Sequence, residues 1–213
     1  MIHYYKRSNS LIDFKNRKGQ IAILKRDHPK ESELFFKKLC QFPFSLYGYV
    51  RHDSAKEDIR KLLKDEIPKH LQFDLFYEDW LEDMSNMCKI FCSMQLEDSL
   101  CFWLGSKRGC KRYHVDMVPY RLLVTYAGEG TEILPNHGAN RKAFVEGKSN
   151  DEILKDKSTL KYTNKWDIAI FRGGKEGILH RTPSSALDAN SSILMRLDYK
   201  SFLADIKKIN DMT

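Results

Sequence analysis

Tyr113-His114-Val115-Asp116 is the stretch on which the reading of this chain turns. A histidine and an aspartate two positions apart cannot share one face of a helix, but in an extended strand they point the same way. Their α-carbons then lie roughly 6.6 Å apart, within reach of a common ion. His180, 64 residues after Asp116, follows the apolar pair Ile178-Leu179 and a glycine-rich turn. A strand end there could bring it to the first pair. Two histidines and one carboxylate, with positions left open, form the ligand set of non-haem Fe(II) oxygenases. The other histidines, His3, His28, His52, His70 and His137, have no such context and read as surface or hydrogen-bonded residues.

Outward from this stretch, the second half of the chain is a succession of short strands. Leu100-Cys101-Phe102-Trp103-Leu104 precedes a basic turn, Arg112 to Asp116 forms the next strand, and Arg121 to Tyr126 continues in extended form. Gly128-Glu129-Gly130 turns the chain into Thr131 to Leu134. Ile168 to Phe171, Ile178 to His180 and Ser192 to Tyr199 complete the set. Residues 136–165 are polar and insertion-like, with a helix start at Ser149-Asn150-Asp151-Glu152. Together with the loop 172–177 they are expected to form a mobile cover.

The first half reads differently. Gln20 to Leu24 is a short buried strand, and Glu31 to Gln41 is helical. Ser54 and Glu57 have capping-box spacing ahead of a helix that ends near Pro68. Leu75 to Gln95 carries Phe76, Trp80, Met84, Met87, Cys88, Phe91 and Cys92 at three- and four-residue steps. That stripe belongs to a helix packed against a sheet. The tail from Phe202 reads as a short helix or as disordered. The predicted fold class is α+β: a mainly helical support region, 1–98, bracing a C-terminal jelly-roll or cupin-like core, 99–213, the whole forming one compact unit.

Composition narrows the function. The 213 residues include 36 basic and 29 acidic side chains, a net charge of +7 that is scattered along the chain. No arginine-rich stripe with interleaved aromatics supports a nucleic-acid partner. No apolar run could span a bilayer, and the start MIHYYKRSNS lacks a secretory signal. Five cysteines without paired CxxC spacing suit a reducing, cytoplasmic setting, with signal-independent export left open. Lys175 lacks a phosphate-loop ending and Ser184-Ser185 lacks a nucleophile elbow. Cys110, four residues before His114, raises a zinc set of Cys110, His114, Asp116 and His180.

Arg196 lies among Ile193, Leu194, Met195 and Leu197. A guanidinium between apolar neighbours is costly to bury unless it meets an anion in fork geometry. Both a ligand carboxylate and an ion pair with Asp198 satisfy that need. Thr125 and Tyr126 could donate hydrogen bonds inward, and Arg121 is an alternative anion contact.

The order HVD, YRLLVTYAGEGTEIL, WDIAIF, ILHRTP and SSILMRLD resembles the double-stranded β-helix core of Fe(II)/2-oxoglutarate-dependent oxygenases. More narrowly, YHVDMVPYRLLVTYAGEGTEILP (113–135), LHRTP (179–183) and LMRLD (194–198) are similar to a bacterial family of unknown function. The likeness covers the second half strongly and the first half loosely. It implies that His114, Asp116 and His180 hold Fe(II) and that Arg196 holds the distal carboxylate of 2-oxoglutarate. A hydroxylase-type dioxygenase reaction would follow, on a small molecule or macromolecule that the sequence does not identify. The 16-residue step from His180 to Arg196 is longer than in many superfamily members. The alternative is a cupin-like zinc-binding protein without oxygenase activity.

Overall fold

Extended segments rich in β-branched and aromatic residues form ten strands in the computed structural model, which describes residues 1–187, 192–202 and 204–205. They are β1 (Ile2–Tyr5), β2 (Ile21–Leu24), β3 (Ser45–Arg51), β4 (Ser99–Gly105), β5 (Tyr120–Ala127), β6 (Glu132–Leu134), β7 (Lys161–Tyr162), β8 (Ile168–Arg172), β9 (Leu179–Arg181) and β10 (Ile193–Tyr199). The helices are α1 (Ser32–Leu39), α2 (Ala55–Leu63), α3 (Lys69–Gln72), α4 (Leu75–Gln95), α5 (Arg141–Val145) and α6 (Asn150–Ile153). Most of the tail beyond Phe202 lies outside the described residues. Among the described residues no helix is long and apolar enough to cross a membrane.

Alternation along the strands decides which layers meet. The order β1-β2-β8-β5-β10-β4-β3 makes one large sheet, and β7-β6-β9 a small one. Leu122, Val124, Ile168, Ile170, Met195 and Leu197 turn to one face and pack with Phe35, Phe36, Trp80 and Phe91 of α1 and α4. Ile21, Ile23, Leu123, Ala169 and Phe171 turn to the other face, where Ile133 and Ile178 close over them. The fold is therefore mixed α+β, with helices on one side of the large sheet and the small sheet on the other. The N-terminal stretch contributes more than helices, because β1, β2 and β3 belong to the large sheet.

The clearest helix forms over the predicted residues. Asp74 caps α4 by accepting the Phe76 backbone N–H at 3.1 Å. Trp80 is fully buried, edge-on to Phe36 and Tyr126. The expected capping box at α2 is absent. Ser54 precedes the helix without capping it, and its hydroxyl donates to Asp58 Oδ2 at 3.0 Å. Asp58 also accepts from Arg51 Nε (3.0 Å), Nη2 (2.7 Å) and backbone N (3.1 Å), joining β3 to α2. The Arg51 guanidinium holds this carboxyl down at about 2. A depressed folded-state value stabilises the fold above the ordinary carboxyl range, and that contribution is lost as pH falls towards 2. Asp58→Asn is therefore expected to destabilise at pH 7 by about 1 kcal/mol, since Arg51 lies mostly in water that screens the pair. Urea unfolding should show the gap from wild type closing between pH 4 and pH 2.

Residues 136–165 fold more fully than their polarity suggests. Asn140 caps α5, and Ser149 and Glu152 complete a capping box on α6. Ala143 and Ile153 then pack with Tyr113, Leu134 and Leu179 on the outer side of the small sheet. This segment supports the site from behind and does not cover it, which corrects the expectation of a mobile lid there.

Candidate metal centre

The predicted strand 112–116 reduces to a single antiparallel bridge between His114 and His180. The two residues exchange backbone hydrogen bonds, 3.1 Å from His114 N and 3.0 Å from His180 N. Directly opposed residues of an antiparallel pair present side chains on the same face, and here the imidazole centroids are 4.3 Å apart. Asp116, two positions on in extended chain, returns to that face. Tyr113 and Val115 pack on the opposite side. One ligand atom from each of His114, Asp116 and His180 lies within 4.8 Å of the others.

Hydrogen bonds aim these atoms. His180 Nδ1 is 3.0 Å from the Ile178 carbonyl, and His114 Nδ1 is 3.1 Å from that of Arg112. A carbonyl only accepts, so the proton of each neutral ring sits on Nδ1, and His180 keeps its Nε2 lone pair free. Burial pushes the His180 pKa down to about 4, which keeps the ring neutral. Its Nε2 faces Asp116 Oδ2 at 3.4 Å. Asp116 Oδ1 accepts from Arg121 Nη1, but Oδ2 is buried without a hydrogen-bond partner. A bare imidazole nitrogen and a bare carboxylate oxygen thus oppose each other out of water. Such an arrangement is costly unless a cation lies between them. The donor set fits a divalent metal with open positions.

Behind the three residues stand two arginines on one carboxylate. Arg121 donates from Nε to Asp198 Oδ1 (2.8 Å) and from Nη2 to Asp198 Oδ2 (3.2 Å). Arg196 Nε is ion-paired with Asp198 Oδ2 at 3.0 Å, without the alignment of a hydrogen bond. The Arg196 guanidinium carbon is 5.4 Å from the ring centroids of both Trp103 and Phe202. A cavity of about 120 Å³ lies between the sheets, lined by Trp103, Cys110, His114, Asp116, His180 and Arg196 among others. Lys107, Arg108 and Gly109 of the loop after β4 also line it, whereas no residue of 136–165 does.

The sequence profile described as "Protein of unknown function (DUF1826)" matches residues 6–198. The chain belongs to that family. No curated protein is detectably similar in sequence. Solved structures with some likeness to this DUF1826 chain include a bsmA homolog from Methylobium petroleophilum PM1. It has 8% identity, covers 92% of this chain and 94% of its own, and gives a TM-score of 0.46. The Fe(II)/(alpha)ketoglutarate-dependent dioxygenase TqaL has 9% identity, with 90% and 87% covered and a TM-score of 0.42.

The remaining candidate residues of this DUF1826 member divide by sheet face. Tyr126 lies on the helical side of the large sheet, stacked on Phe36, with its hydroxyl donating to Asp83 at 2.8 Å. Alternation along β5 sends it away from the face that carries Arg121, so the expectation that it reaches the pocket is corrected. Thr125 is buried and does not line the cavity. Arg121 does line it, but its donors go to Asp116 and Asp198, which removes it as an alternative anion contact. Arg181 donates to Glu132 Oε1 at 2.7 Å and stacks over Tyr113. Cys110 sits at the rim with a positive φ of 49°. A hydrogen bond to His114 holds its thiol pKa below the ordinary value, against the opposing effect of burial. Trp103 was not legible as a site residue, because its place beside Arg196 depends on their pairing across β10 and β4; Phe202 meets the same guanidinium from beyond the end of β10.

Proposed function

We propose that this protein is an Fe(II)- and 2-oxoglutarate-dependent oxygenase of hydroxylase type, its two facing sheets forming a double-stranded β-helix. His114, Asp116 and His180 hold the metal, and Arg196 receives the distal carboxylate of 2-oxoglutarate. The observation that carries this reading is the unpartnered buried Oδ2 of Asp116 opposite the bare Nε2 of His180, in the same cavity as Arg196. Bound there, the metal and the 2-oxo acid supply oxidative decarboxylation to succinate and CO2, coupled to oxidation of a substrate by O2.

The chain's own residues supply orientation. The carbonyls of Arg112 and Ile178 keep both imidazole protons on the outer nitrogens. Arg121 holds Asp116 by one oxygen and leaves the other free. The rings of Trp103 and Phe202 confine the Arg196 fork, whose planar donors suit a carboxylate in a way a lysine does not.

Anaerobic addition of Fe(II) and 2-oxoglutarate should produce a weak visible charge-transfer band in the wild-type protein and none in His180→Ala. Tight zinc binding with no response to 2-oxoglutarate would instead favour a metal-binding protein without oxygenase activity. Cys110 beside His114 would suit that outcome.

A further inference from the structure

We infer that Asp198 is a positioning residue that sets the metal-side and anion-side halves of the site together. The inference rests on the function proposed above. Asp198 is almost fully buried on β10, two residues from Arg196 and on the same face of the sheet. Its carboxylate takes the Arg121 fork through Nε (2.8 Å) and Nη2 (3.2 Å), so that only Nη1 is left to reach Asp116. The same carboxylate draws Arg196 by its Nε at 3.0 Å, and Arg196 lines the cavity, so Nη1 and Nη2 are the donors left for a ligand there. Two carboxylates and two guanidiniums cancel, so a divalent cation and a dianion entering together leave the cluster neutral.

Without the Asp198 charge, Arg121 is free to swing its fork onto Asp116 and occupy Oδ2, the oxygen the metal needs. Arg196 loses its only charged anchor among the described residues and keeps only the two rings. One substitution at a residue that touches neither ligand therefore weakens both. Loss of an outer-shell partner of a metal ligand costs about tenfold to a hundredfold in affinity.

The test is calorimetry on metal-free protein, titrated first with Co(II) and then, once loaded, with 2-oxoglutarate. Asp198→Asn should weaken each step by about tenfold to a hundredfold, while Arg196→Met weakens only the second. A purely structural role would lower the melting temperature and leave both affinities of the folded fraction unchanged. Folded Asp198→Asn protein with both affinities within about twofold of wild type, or with only one of them weakened, overturns the inference. Asp198→Glu keeps the buried charge and serves if the asparagine variant does not fold. It displaces both arginines by the length of a methylene and should weaken both steps severalfold; wild-type values there overturn the inference as well. Wild-type protein that takes up Co(II) but ignores 2-oxoglutarate sinks the oxygenase reading and the anion-side half of the inference with it; Asp198→Asn with wild-type Co(II) affinity would then overturn the metal-side half as well.

Discussion

Asp116→Asn is expected to cost the protein its metal while leaving the metal-free fold nearly as stable as wild type, whereas Asp116→Ala costs both. In the metal-free site Oδ2 of Asp116 has no hydrogen-bond partner and faces an imidazole nitrogen at 3.4 Å that carries no proton. An asparagine amide placed there donates to that nitrogen, and its oxygen still accepts from Arg121. The repulsion disappears, and the lost ion pair is offset in part because Arg121 keeps its fork on Asp198. The proposed metal set, however, loses its one charged ligand. Its affinity should fall by more than the roughly hundredfold typical of an outer-shell change. Alanine leaves the Arg121 Nη1 donor and the His180 nitrogen both buried and unmet, at a cost of about 3 kcal/mol. Calorimetry with Co(II) and urea unfolding in the presence of a chelator separate the two variants. An asparagine variant that still takes up stoichiometric Co(II) with wild-type affinity would remove Asp116 from the ligand set.

The same residues show how much of the site was readable before the structure. Same-face placement of His114 and Asp116 needs only locally extended chain, so the pair could be picked out although 112–116 holds just one isolated bridge and no ladder. Helix α4 was equally plain, because its stripe is long and its cap is local. Strand β3 was not: Leu46 and Val50 turn inward while Ser45, Tyr47 and Tyr49 stay exposed, and Gly48 interrupts the pattern beneath Leu62. Alternation alone already forbids Thr125 and Tyr126 from serving one pocket, and the structure sends Tyr126 to the helices. The roles of the two arginines lie beyond alternation. Arg121 and Arg196 both face the cavity, and only the pairing of β5 with β10 determines that Asp198 takes one by its fork and the other by its edge. Of the two readings of Arg196, the ion pair with Asp198 is present and uses only the Nε edge of the guanidinium, so it does not compete with the ligand contact proposed for the other edge.

Arg196→Met should therefore abolish most of the affinity for 2-oxoglutarate without disturbing the metal. Methionine is long enough to lie between Trp103 and Phe202, where its sulfur makes favourable contacts with both rings. Asp198 keeps the Arg121 fork, so Asp116 stays in place and Co(II) binding is unchanged. What goes is the charged fork proposed to meet the distal carboxylate. Removing one partner of a desolvated charge pair costs about 2–5 kcal/mol, or about thirtyfold to a few thousandfold in affinity. Arg196→Lys should recover only part of this, since an ammonium is a point charge without the planar pair of donors. Pyruvate supplies the control, because it carries the same 2-oxo acid and no distal carboxylate. Wild type and Arg196→Met, both loaded with Co(II), should bind pyruvate equally well and differ only towards 2-oxoglutarate. A methionine variant that loses pyruvate as well would place Arg196 at the metal-facing end of the cavity, and equal binding of 2-oxoglutarate by both proteins would move the anion contact to another side chain of the rim, Lys107 foremost.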